Sequence, residues 1–124
     1  MNYKLKDSGK RKHFETGAMR ENASGKGRYD LISPIMLKRL AIIMEKGALK
    51  YTDRNWEKGM PLHRYIDSAL RHINQYLEGF IDEDHLSQAI FNLMACIHTE
   101  EMIKRDKISK KLNDLPNYKG TNNE

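Results

Sequence analysis

Apolar residues recur at helical spacing in three stretches of the chain. The stretches cover residues 33–51, 61–78 and 82–105. Pro34 suits the first turn of the first helix, and Gly79 is typical of the end of the second. We therefore predict an all-α fold: a small bundle of three to four helices with short connections and little or no sheet.

The third stretch is apolar over most of its circumference, which predicts the central and most buried helix. Asp82 is a suitable cap for its first turn. The charged residues 100–111 either extend this helix or begin a fourth one. Residues 112–124 are predicted to form an irregular tail.

Residues 1–30 lack both helical and alternating periodicity. They are polar, rich in glycine and strongly basic, so we interpret them as an extended basic arm or an ordered loop, with a disordered tail as the alternative. With 124 residues in all, the chain is expected to form a single domain over 1–124.

Composition adds expectations about partners and location. A hydrophobic fraction of 39% is lean for a compact monomer, so we expect a homo-oligomer. The net charge of +5 favours anionic partners: nucleotide, nucleic acid or acidic protein. Cys96 is the single cysteine and lies in an apolar stretch, as expected for a core residue in a reducing cytosol. No segment resembles a membrane span or a signal peptide, which predicts a cytoplasmic protein.

A narrow polar stripe interrupts the apolar surface of the third helix. His85, Gln88, Asn92 and Thr99 fall on one side of it. Buried polar groups need partners, so the stripe predicts either a pocket whose amides read a purine base or a hydrogen-bond network between helices.

Two further segments supply candidate ligand-binding side chains. Arg54, Asn55 and Trp56 combine a cation, an amide and an aromatic platform suited to a purine, although a loop tryptophan also commonly covers a core. On the second helix Arg71 offers a planar fork for phosphate beside His72. The alternative for this face is a solvated surface on which Arg71 pairs with an aspartate one turn earlier.

Lys26 and Arg28 add two cations on glycine-rich backbone that could approach phosphate. Metal chemistry has weaker support, so no metal or other cofactor is predicted for a binding protein. If the chain is an enzyme, Glu78, Asp82 and Asp84 are the candidate magnesium ligands, and the catalytic residues stay unassigned.

Several motifs, taken together and in order, resemble a known family. They are Lys6-Asp7-Ser8-Gly9, Glu15-Thr16-Gly17-Ala18, Gly25-Lys26-Gly27-Arg28-Tyr29-Asp30-Leu31, Gly47-Ala48-Leu49-Lys50-Tyr51, Arg54-Asn55-Trp56-Glu57-Lys58-Gly59, Arg71-His72 and Asp84-His85-Leu86 with Asn92. The chain resembles, over roughly residues 6–103, the phage and prophage proteins known as the N-terminal domain of dATP/dGTP diphosphohydrolase. The resemblance implies a phage origin and a purine nucleotide ligand.

Three functions are compatible with these observations. The first is a phage protein that binds and sequesters a purine nucleotide, such as a signal of bacterial immunity, in the cytoplasm of the infected host. The second is a magnesium-dependent diphosphohydrolase that converts dATP or dGTP to monophosphate and pyrophosphate. Enzymes of the MazG type use E-E-x-x-E for this purpose, whereas Glu100-Glu101 is followed by Lys104 here. The third is a nucleic-acid-binding or host-inhibiting module, which we rank last because no recognition helix is evident. We favour sequestration.

Overall fold

The computed structural model of the protein describes residues 4–7 and 9–120. These residues divide into two compact units, one ending at Ser33 and one beginning at Pro34. The expectation of a single domain over 1–124 stays a prediction. Residues 121–124 of the predicted tail lie outside the described residues.

The N-terminal unit contains a small antiparallel hairpin. Strand β1 (Arg11–His13) pairs with β2 (Met19–Glu21), with Lys12 opposite Arg20. The amide of Gly17, at φ 89°, closes the turn by donating to Phe14 O at 2.9 Å. The interpretation of residues 1–30 as an irregular arm missed this hairpin, because strands of three residues are too short to show alternation.

The three predicted helices are confirmed in the second unit. Helix α1 covers Pro34–Tyr51, α2 covers Leu62–Leu77 and α3 covers His85–Lys104. Short 3-10 helices cover Tyr29–Leu31, Asn55–Lys58 and Lys110–Leu112. The fold is thus mostly helical, with one two-stranded sheet among the described residues.

Helix α3 is the central helix, as its apolar sequence predicts. It packs against both α1 and α2 and holds more buried residues than either. The core cluster consists of Leu62, Tyr65, Ala95 and Ile103. Cys96 packs against this cluster, and burial raises the pKa of its thiol, in keeping with a structural role.

The first turn of α3 is capped by Asp84 and not by Asp82. The Asp84 carboxylate accepts the Ser87 amide at 3.2 Å. It also accepts two hydrogen bonds from the Arg39 guanidinium, at 2.6 and 2.9 Å, which ties α1 to α3. The cap lies nearer to the apolar run than expected, because the helix begins at His85.

The chain after α3 folds back over the loop that precedes α2. Helix α3 ends at Lys104, and the candidate fourth helix is a single 3-10 turn. Ile108 and Leu112 pack so closely on Gly59 that a Cβ there would lie 3.0 Å from Leu112 Cδ1. Asp114 accepts the His63 amide at 3.1 Å and fixes this segment to the start of α2. None of the helices in residues 4–7 and 9–120 has the length and apolarity to cross a membrane.

Candidate functional site

A cavity of about 370 Å³ opens where the C-terminal end of α1 meets α2, α3 and the loop after α1. Its lining includes five of the predicted ligand-binding residues: Arg54, Asn55, Trp56, His72 and Gln88. Lys46, Gly47, Lys50, Tyr51, Thr52, Glu83 and Phe91 also line it. The tertiary fold thus brings together side chains from four separate segments of the sequence.

Three cations line this cavity. Lys46 and Lys50 are one turn apart on α1, and Arg54 follows in the loop. Arg54 donates to Glu57 at 2.8 Å but is 74% exposed on its side chain, so it can exchange this partner for an anion. Glu83 is the one carboxylate in the cavity lining. The electrostatic balance therefore favours an anionic ligand.

Trp56 covers part of the core and also reaches the cavity. It packs against the core cluster and meets His98 edge-on, with ring centroids 4.9 Å apart and an interplanar angle of 75°. Its carbonyl accepts from the Tyr65 hydroxyl at 3.3 Å, which holds the loop to α2. Trp56 also lines the cavity together with Phe91, whose ring centroid lies 6.5 Å from its own, so the two rings form an aromatic wall.

The loop that carries Arg54 has unusual backbone geometry. Thr52 has φ 108° and Arg54 has φ 59°, and both residues line the cavity. Positive φ is costly for a side chain with a Cβ, especially for a β-branched one, and such residues cluster at functional sites. Asp106 is the other non-glycine residue with positive φ among those described.

Two histidines and a carboxylate form a hydrogen-bonded chain beside the cavity. The Nδ1 atoms of His72 and His85 lie 2.9 Å apart, and His85 Nε2 lies 2.9 Å from Asp82 Oδ1. Burial lowers the pKa of His72, with Glu83 opposing the effect. The hydrogen bond from His85 lowers the pKa of Asp82. His85 itself is buried and does not line the cavity.

The polar stripe of α3 divides between the two interpretations given above. Gln88 lines the cavity. Asn92 is buried and donates from Nδ2 to the Gln88 carbonyl at 2.9 Å, and buried Thr99 donates to the Tyr65 hydroxyl at 3.3 Å. Within the stripe, Gln88 alone lines the cavity, and the other members satisfy their polar groups within and between helices.

Three predicted phosphate ligands are not part of the lining of this cavity. Arg71 is exposed and paired with Asp67 one turn earlier, as the alternative interpretation expected. Lys26 and Arg28 belong to the N-terminal unit, where they line a separate open concavity and pair with Glu21 and Asp30.

The candidate magnesium ligands are dispersed. Glu78 accepts from Asn74 Nδ2 at 2.9 Å, and Asp84 is held by Arg39. Asp82 instead groups with Glu83 and His85, whose ligand atoms all lie within 4.8 Å of one another. Glu83 was considered from the sequence only among the acidic residues able to hold magnesium. Lys46 and Lys50 were not predicted as ligand-binding residues, although their spacing by one turn toward the tryptophan loop was an available signal.

Comparison with known families supports the resemblance found in the motifs. Residues 16–110 match the family described as dATP/dGTP diphosphohydrolase, N-terminal. The chain belongs to this family. The match spans all three helices of the cavity, so the site lies within the family domain. No curated protein and no solved structure matches the chain.

Proposed function

We propose that the protein binds a phosphate-bearing purine nucleotide in the cavity between α1, α2 and α3. The observation that carries this proposal is the placement of three cations beside an aromatic wall and two amides, those of Asn55 and Gln88, around one cavity of about 370 Å³. Cavities of this size suit small ligands. Membership of a purine-nucleotide family agrees with the same ligand class.

The phosphates are assigned to the end of α1. Lys46 and Lys50 offer ammonium groups, and Arg54 adds a fork that can bind two phosphate oxygens. Among residues 4–7 and 9–120, Lys46 has no ion-pair partner, so anion binding there breaks no existing pair. The base is assigned to the wall formed by Trp56 and Phe91, where the Asn55 and Gln88 amides offer donors and acceptors for its edge.

Sequestration is the favoured outcome of binding. The charged side chains of the cavity lining are cationic apart from Glu83, which suits holding an anion more than assembling a cluster of carboxylates. We accordingly propose a phage protein that sequesters a nucleotide, such as an immune signal, in the cytoplasm of its bacterial host.

We also propose a homo-oligomer. Large apolar side chains stay exposed on α2 and α3: Leu70, Ile73, Tyr76, Leu77, Leu93 and Ile97. Leu77 is 76% exposed and Ile97 is 68% exposed, and large apolar side chains left in water on two helices are typical of an interaction surface. A second copy packing on these helices would complete the lean core.

The deciding experiment incubates the protein with dATP, dGTP and a panel of cyclic and ADP-ribose nucleotides in the presence of magnesium. Chromatography before and after heat denaturation follows each compound. A nucleotide that leaves solution and returns intact supports sequestration. Arg54→Gln should weaken its capture, and Arg71→Gln should not, since Arg71 is an equally charged arginine outside the cavity.

Hydrolysis is the second candidate, and the grouping of Asp82, Glu83 and His85 favours it. Magnesium is commonly held by one or two carboxylates plus substrate phosphates, so Asp82 and Glu83 fit the ion, whereas His85 Nε2 already faces Asp82. Bound there, magnesium would polarise a phosphoryl group and activate water. If the protein releases monophosphate and pyrophosphate, and if Glu83→Gln abolishes this release, the function is hydrolysis and not sequestration.

A further inference from the structure

The hydrogen-bonded chain from Asp82 through His85 to His72 limits where the protons of the two rings can lie. His85 is the middle member, and its side chain has 0% exposure, so water cannot substitute for either partner. Both links measure 2.9 Å between heavy atoms. The positions of the hydrogens follow from which groups can donate.

An ionised carboxylate only accepts hydrogen bonds. His85 Nε2 therefore carries the proton that it donates to Asp82. A neutral His85 then has an unprotonated Nδ1, and the contact with His72 Nδ1 is a hydrogen bond only if His72 donates. The chain thus places one proton on Nδ1 of His72.

A neutral imidazole with its proton on Nδ1 has a lone pair on Nε2. His72 lines the cavity, and desolvation by burial disfavours its charged form. The charged or titratable groups near it are Glu83, His85, Arg71 and Asp82. His72 therefore contributes an acceptor to a cavity otherwise dominated by cationic donors.

We propose that His72 Nε2 accepts a hydrogen bond from a sugar hydroxyl of the nucleotide, with His85 and Asp82 acting as positioning residues that set its tautomer. This inference rests on the proposed function. Phosphates carry only acceptors, so they cannot satisfy this nitrogen and belong at the lysines of α1. The base is already matched to the aromatic wall and the amides, and the sugar is the remaining donor. His85, predicted from the sequence as a direct ligand contact, instead acts through His72.

The proton positions can be tested without any ligand. Long-range ¹H–¹⁵N spectra of the histidine side chains of the full chain, recorded above neutral pH and assigned with His72→Gln and His85→Gln, report each tautomer. We expect Nδ1–H for His72 and Nε2–H for His85. Asp82→Asn should introduce the opposite tautomer at both rings, because an amide can donate as well as accept. Nε2–H on His72, or Nδ1–H on His85, in the wild type would overturn the assignment.

The ligand contact is tested with ATP, dATP and 2′,3′-dideoxy-ATP by calorimetry. Removing the hydroxyls should weaken binding to the wild type roughly threefold to tenfold, as expected for the loss of one hydrogen bond. The His72→Phe variant should bind all three compounds with the same affinity, because it lacks the acceptor. Equal binding of all three compounds to the wild type refutes the hydroxyl contact while leaving nucleotide binding intact. Failure of all three compounds to bind refutes the hydroxyl contact for adenosine triphosphates, the proposed function is refuted only if the whole nucleotide panel also fails to bind, and the tautomer result then stands alone.

Discussion

The ion pair between Arg39 and Asp84 connects α1 to the start of α3 and thereby holds two walls of the cavity together. Asp84 has two roles there, as helix cap and as partner of Arg39. Loss of an aspartate cap costs about 1 kcal/mol. Because the side chains of Arg39 and Asp84 are 50% and 28% exposed, the pair itself adds only about 0.2–1 kcal/mol. We predict that Asp84→Ala lowers the free energy of unfolding by roughly 1–2 kcal/mol.

Urea denaturation separates the two roles. Asp84→Asn keeps a capping oxygen and loses the charge, so it should cost less than about 1 kcal/mol, as should Arg39→Gln. The urea concentration at the midpoint of unfolding should shift, whereas m, the dependence of the unfolding free energy on urea concentration, should stay the same. Asp67→Asn is the matched control, since its pair with Arg71 is exposed and lies within one helix.

The same pair predicts a dependence on pH. The Arg39 guanidinium holds the pKa of Asp84 well below its ordinary value of 3.8. The unfolded chain therefore takes up this proton at a higher pH than the folded chain. The contribution of Asp84 is complete above its ordinary pKa and is lost as the pH falls through the lowered one. An Asp84→Ala variant as stable as Asp84→Asn would refute the capping role. An Asp84→Asn variant with the wild-type acid profile would refute the pairing.

Three other changes test the packing around the cavity. Gly47→Ala should raise the free energy of unfolding, measured in urea, by about 0.5–1 kcal/mol, because the added methyl group lies in open space within a helix. The same methyl group should weaken nucleotide capture, because Gly47 lines the cavity. Gly59→Ala should destabilise the fold instead, since φ is +89° and Leu112 lies 3.0 Å from the new Cβ. Replacing exposed Ile73 and Leu77 by lysine should reduce the mass measured by light scattering if α2 joins two copies, and an unchanged mass would exclude this face.

The helices could be predicted because each one repeats apolar residues over four or more turns. The hairpin could not, since β1 and β2 have three residues each and carry mostly charged side chains. The position of the α3 cap was wrong for a related reason. Asp82 and Asp84 are equally good caps in sequence, and only the contact with Arg39, 45 residues away, distinguishes them.

The site could be predicted in part. The tryptophan loop and Gln88 carry residue types whose chemistry is visible in the sequence, and the fold brings them together. Lys46 and Lys50 were missed because lysines on an amphipathic helix are ordinarily solvated. Their relevance arises only when α1 ends against the loop. Arg71 is the opposite case. It was predicted to bind phosphate, but its guanidinium pairs with Asp67, one turn earlier on the same helix.

Several costly features coincide at the cavity. Gly47 weakens the interior of α1, and Thr52 and Arg54 hold strained backbone conformations. Lys46 and Lys50 add like charges one turn apart, which destabilises a helix slightly. Packing requires none of these features, because open space lies where a Gly47 side chain would be. An anionic ligand would offset the repulsion between the two lysines and occupy the open space. A packing defect would explain neither the paired lysines nor the strained backbone of the loop. The coincidence therefore favours a binding site over an imperfectly filled core.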